Sequence, residues 1–97
     1  MTYASTLIAV RDMEKSKRFY HDVLGLRVTV DFGANVTLDG GVVLQTMDTW
    51  QSFIRTDAVV LPNNAGELYF EEDDMDLFCA HLKSFEIQFV HELFEHR

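Results

Sequence analysis

Cysteine, proline and basic residues are scarce in this chain, and it holds no long apolar run. One cysteine, Cys79, excludes an intramolecular disulfide. One proline and five glycines leave no low-complexity segment and no Gly/Ser linker. Only 8 Lys and Arg stand against 16 Asp and Glu, a formal net charge of −8. That balance argues against nucleic acid as a partner, because binding a phosphate backbone needs clustered cations. No stretch approaches the roughly 20 apolar residues a membrane span needs, so no membrane partner is expected. No basic segment followed by an apolar one marks a secretory signal, and the cytoplasm is the default location. What is present suits one folded domain: 97 residues, 47% hydrophobic and 25% charged. A chain of this size buries roughly 60–65% of its unfolded surface, enough for a modest core.

The stretch with the strongest local signals is Val10 to Leu26. Asp12 is placed to cap a helix, with Glu14 in the first turn against the positive end. Met13, Ser16, Tyr20 and Val23–Leu24 recur at steps of three and four. Gly25 falls where a helix ends in a left-handed residue, and Leu26 where the chain packs back near Tyr20. The spacing predicts a helix of about three turns with both ends marked.

Before it, Thr2 to Val10 reads as a strand, with Ala4, Thr6, Ile8 and Val10 towards the helix and Tyr3, Ser5, Leu7 and Ala9 on the other face. After it, Arg27 to Phe32 alternates, Gly33-Ala34-Asn35 turns, and Val36 to Leu38 is a short strand. Asp39-Gly40-Gly41 signals a tight hairpin. Val42 to Met47 is the next strand, with Val43, Gln45 and Met47 on one face. The order is βαβββ.

Residues 48–66 form a connector too long for a simple turn. Trp50, Phe53, Ile54, Val59, Val60 and Leu61 make it too apolar for disorder, and part of it is expected to pack, partly as strand. A second copy of the pattern then begins. Glu67 to Glu72 reads as a strand. Asp74-Met75-Asp76 repeats Asp12-Met13-Glu14 at an offset of 62 residues, 74 minus 12. Asp73 or Asp74 caps a helix with Met75, Phe78, Cys79 and Leu82 on one face, and Phe85 to Val90 reads as a strand. The offset pairs Ser5 with Glu67 and Leu7 with Tyr69. Module one is thus 1–47, the connector 48–66, and a partial module two 67–97.

The strand ending in Val10, then Asp12-Met13-Glu14-Lys15-Ser16, Arg18-Phe19-Tyr20 and Val23-Leu24-Gly25-Leu26, resembles the first helix region of the glyoxalase / bleomycin-resistance / ring-cleaving dioxygenase superfamily, also called vicinal oxygen chelate. The resemblance implies an α+β fold of tandem βαβββ modules, the second incomplete here, with a site in the cup of the sheet. In metal-dependent members four ligands line that cup. Carried over by position, they fall on Ser5, a poor ligand, on Gln45 where Glu is usual, and on Glu67 where His is usual. The fourth would come from a closing strand with no counterpart after Val90.

The resemblance therefore favours a small-molecule binding protein over a metal-dependent enzyme. Its cup would be lined by Ser5, Leu7, Val43, Gln45, Met47, Trp50, Glu67 and Tyr69, a few polar groups among apolar ones. Trp50 is read either as a lid or as an anchor for the connector. No cofactor is expected. The alternative is a lyase, transferase or dioxygenase similar to lactoylglutathione lyase, using Zn, Ni, Mn or Fe and completed by a partner chain, with Gln45 and Glu67 as ligands. A third reading is an inactive truncated fragment. An unpaired sheet edge in module two predicts a homodimer.

Other candidate sites fail on spacing. His91 and His96 lie five residues apart, not the four a helical zinc motif needs. Glu71 to Asp76 gathers acids as a helix start does, without the glycine spacing of a calcium loop. Cys79 belongs to an apolar helix face, His21 and His81 to exposed ones, and Arg55 to solvent.

Overall fold

The computed structural model describes residues 1–63 and 65–89. Val90, at the end of the last expected strand, and the stretch from His91 to His96 lie outside them. The chain divides into two compact units, Met1–Glu67 and Leu68–Arg97.

The first unit is one βαβββ module. Strand β1 (Thr6–Val10) leads into helix α1 (Met13–Arg18), which continues as a π-helical turn over Phe19–Val23. Strands β2 (Val28–Asp31), β3 (Asn35–Leu38) and β4 (Val42–Thr46) follow, then helix α2 (Met47–Ile54). The sheet order is β1-β4-β3-β2. β1 runs parallel to β4, and the other pairs are antiparallel. The parallel pair needs a crossover, and α1 supplies it.

Local chemistry sets α1 as the sequence predicts. The Asp12 carboxylate accepts from the Lys15 N–H at 3.1 Å. Gly25 takes φ 72°, and Leu26 N–H and Gly25 N–H donate to the Tyr20 and His21 carbonyls, both at 3.0 Å. The first of these bonds spans one residue more than in an α-helical ending, in keeping with the π-turn before it. The wide turn buries Val23, and Met13, Tyr20 and Leu26 pack against the core. That core is Val10, Val36, Leu38, Val42 and Leu44, on the α1 side of the sheet. At the far edge Lys17 bridges Glu14 at 2.9 Å and Asp31 at 3.0 Å, tying α1 to β2. The Gly33 N–H, and then Lys17, hold the Asp31 carboxyl below its usual range.

Several sequence expectations are corrected here. β1 begins at Thr6, not Thr2: Met1 to Ser5 are exposed and, among the described residues, have no strand opposite them. The Asp39–Gly41 hairpin is as the sequence predicts: it joins antiparallel β3 and β4 through a single 3₁₀ turn, with Gly40 at φ 77° and Gly41 at φ 88°, both conformations that glycine alone adopts freely. β4 ends at Thr46, so Met47 is the first residue of a helix and not the last of a strand. The connector packs as that helix and not as strand, because Met47, Trp50 and Ile54 recur at helical spacing with Asp48 in the first turn. It stops at Arg55, in the left-handed region at φ 59°.

β2 carries a bulge. Val28 pairs with Leu38, but Val30 pairs with Thr37 and Asp31 with Val36. One extra residue in β2 turns the following side chains to the opposite face. Val28 therefore shares the α1 face with Leu38, while Val30 shares the other face with Thr37.

In the second unit, α3 (Met75–Lys83) is capped as α1 is: the Asp74 carboxylate accepts from the Leu77 N–H at 3.0 Å. His81 stacks edge-on to Phe85, with ring centroids 5.0 Å apart. None of the residues of α3 is buried. Glu67 to Glu72 and Phe85 to Phe89 are not strands, contrary to the alternation in their sequences. A strand is made by its ladder, and among the described residues neither segment has one. Among the described residues no helix is long and apolar enough to cross a membrane.

Candidate functional site

Alternation along each strand leaves a second face of the sheet, opposite α1. The register aligns Leu7 with Val43, Ala9 with Gln45, Asn35 with Gln45, and Thr37 with Val43. After the bulge, Val30 joins them beside Thr37. The face thus runs from Leu7 and Ala9 through Val43, Gln45, Asn35 and Thr37 to Val30. Its outer parts are open: Leu7 and Val30 are exposed, and Ala9, Asn35 and Thr37 are half-buried.

Gln45 is the polar centre of the face. It is 2% exposed, the one buried polar residue of the described chain. Its carbonyl accepts from the Asn35 amide at 2.6 Å, and its own amide donates to the Thr49 hydroxyl. The Thr49 hydroxyl in turn donates to the Thr46 carbonyl at 3.0 Å, and the two threonine hydroxyls lie 2.6 Å apart. The first turn of α2 is thereby fastened to the end of β4. The Thr46 hydroxyl and the Thr49 N–H hold the nearby Asp48 carboxyl below its usual range. Among the described residues no buried side-chain polar atom lacks a partner.

The structure brings Leu7, Val43 and Gln45 together on adjacent strands. Ser5 lies just before β1 and is exposed. Met47 and Trp50 sit half-buried on α2, off the strand that the alternation assigned to Met47. Glu67 is exposed at the end of the first unit, and Tyr69 is exposed in the second. Sequence reasoning missed Asn35 and Thr49, the two partners of Gln45. Asn35 was read as a turn residue, and Thr49 became visible only with α2. Thr37 was available from alternation, but Val30 was not, because only the bulge puts it on this face.

The donor set does not fit a divalent ion. Both ends of the Gln45 amide are already engaged, so a metal ion would have to share its oxygen with the Asn35 amide. Ser5 offers a neutral hydroxyl, a weak ligand. Among the described residues no three His, Cys, Asp or Glu side chains come together to hold a metal ion.

A solved structure, described as a protein of unknown function from Agrobacterium tumefaciens str. C58, is similar to the chain at 28% identity with a TM-score of 0.82. The match covers 99% of this chain and 77% of that one. No curated protein matches. The family described as glyoxalase-like domain matches residues 3–97. With a match over nearly its whole length and a βαβββ module at its start, the chain belongs to the glyoxalase-like domain family, in the vicinal oxygen chelate superfamily.

Proposed function

We propose that this chain binds a small organic ligand on the sheet face opposite α1, as a homodimer and without a metal ion. The supporting observation is the make-up of that face. Leu7, Ala9, Val43 and Val30 share that face with one buried amide, Gln45, whose orientation is fixed from both ends. Apolar walls with a few oriented polar groups are what small-molecule sites are made of. The half-open flanks leave room for a ligand, and the Asn35 and Thr37 side chains can meet its polar atoms. Family membership favours the same face, but does not name the ligand, because one fold serves many sites.

The bulge in β2 provides a sharp test. Val28 and Val30 are two residues apart and almost equally exposed, at 41% and 42%. In a regular strand they would share a face; here they do not. Anilinonaphthalene sulfonate, an apolar dye with one anionic group, serves as the probe. The native protein is expected to bind it saturably. Val30→Asp should weaken binding about tenfold, roughly 1.4 kcal/mol, and Leu7→Asp should do the same. Val28→Asp should leave it unchanged. Equal loss from Val28→Asp and Val30→Asp, or no saturable binding, would remove the proposal.

A further inference from the structure

The hydrogen bonds around Gln45 run in one direction. They start at Asp48, a carboxylate, which accepts and does not donate. It takes the hydrogen of the Thr46 hydroxyl. The Thr49 hydroxyl hydrogen goes to Thr46, whose carbonyl oxygen lies at 3.0 Å. The Thr49 oxygen is then left to accept, and the Gln45 amide nitrogen donates to it. That turns the Gln45 oxygen to Asn35, and the Asn35 nitrogen donates to it at 2.6 Å. An isolated amide can be turned over at little cost, because its oxygen and nitrogen are nearly the same in shape. In this row neither amide can turn without setting two acceptors or two donors against each other.

The row decides what Asn35 presents. One hydrogen of its amide is engaged by Gln45. Its carbonyl oxygen and its second amide hydrogen have no partner among the described residues. Asn35 is half-buried, two residues along β3 from Thr37, which aligns with Val43 on one side and Val30 on the other. A ligand lying on Val43 and Val30 and reaching Asn35 takes both free groups out of water. A C=O and an N–H on one planar group are satisfied together by the same pair on the ligand. A ligand that lacks either leaves a polar group unpaired, which costs more than the bond itself contributes. No side chain of this face, from Leu7 to Val30, is charged. An ionised group on the ligand would lose its hydration there with no opposite charge in return.

We infer that the site selects neutral ligands that carry an N–H beside a C=O, as in a lactam fused to an apolar ring. Asn35 reads that group. Thr49 is the positioning residue that fixes which way the Gln45 and Asn35 amides face. The inference rests on the ligand-binding reading above and adds the class of ligand to it.

Displacement of the bound dye tests this with two probes. Carbostyril is a neutral bicyclic lactam. Its N-methyl derivative keeps the ring and the carbonyl and loses the N–H. Carbostyril is expected to displace the dye at a concentration about tenfold lower than the derivative. In Thr49→Val both amides are free to turn, Asn35 can present nitrogen alone, and the ratio should fall below about threefold. A change that only loosened α2 would weaken both probes alike and leave the ratio as it was. A second arm needs no variant: carbostyril should move the carbon resonance of the Asn35 side-chain carbonyl, and the derivative should not. A ratio near one in the native protein, a ratio unchanged by Thr49→Val, or an Asn35 resonance that carbostyril leaves in place would overturn the inference. Saturable dye binding with a ratio near one refutes only the ligand class. Absence of saturable dye binding refutes the ligand site, and this inference with it.

Discussion

Leu44→Ala is expected to cost about 3 kcal/mol, the largest loss from any single truncation in the first unit. Leu44 is fully buried, at 0% exposure. It lies on β4, aligned with Ile8 on one side and Val36 on the other, at the centre of the cluster with Val10, Leu38 and Val42. Removing three carbons there loses their transfer energy and leaves a cavity that strands held on both sides cannot close. Small domains hold only about 5–15 kcal/mol in total. The loss should lower the melting temperature by more than 10 °C, at about 4–8 °C per kcal/mol. Urea unfolding measures it, with Val28→Ala, at an exposed position on the same face, expected within about 0.5 kcal/mol of the wild type. A cost under about 1 kcal/mol for Leu44→Ala would mean that β4 is not the centre of the core.

Gln45→Leu should cost about 2 kcal/mol although it adds apolar surface to a buried site. The Asn35 amide would lose its acceptor while still half-covered, and an unsatisfied donor costs about 1–3 kcal/mol. Thr49 keeps its bond to the Thr46 carbonyl, so α2 should loosen and not unfold. The readouts are therefore two: a lower urea midpoint, and faster amide exchange in Trp50 to Ile54 without equal change in β3. The fluorescence of Trp50, the one tryptophan, should shift as well. A neutral or stabilising Gln45→Leu would show that the amide network does not hold α2.

What could be read in advance was local. Asp12, Gly25 and the steps between Met13 and Val23 fix α1 from within one stretch, and α3 repeats the Asp cap for the same reason. The alternation of β4 put Val43 and Gln45 on one face because pleating needs no knowledge of neighbours. The π-turn at Phe19–Val23 was not legible, because no residue type marks an i+5 hydrogen bond. Nor was the bulge, since Val28, Val30 and Phe32 alternate without a fault and only the pairing to β3 displaces them. Met47 could close a strand or open a helix, and the Thr46–Thr49–Gln45 bonds decide for the helix. Glu67 to Glu72 has strand chemistry but no partner among the described residues, so its propensity goes unexpressed. The candidate face was legible as far as Leu7, Val43 and Gln45. Asn35 and Thr49 were out of reach because each matters only through Gln45.

The central claim is that Gln45 and its surroundings serve an organic ligand and not an ion. Calorimetric titration of the purified protein with Ni²⁺ and Zn²⁺ tests it most directly. An amide engaged at both ends, a serine hydroxyl and one exposed carboxylate should give no sub-micromolar binding at one ion per chain. Binding of that strength and stoichiometry, lost on Glu67→Ala, would contradict the claim and point instead to a metal-dependent enzyme.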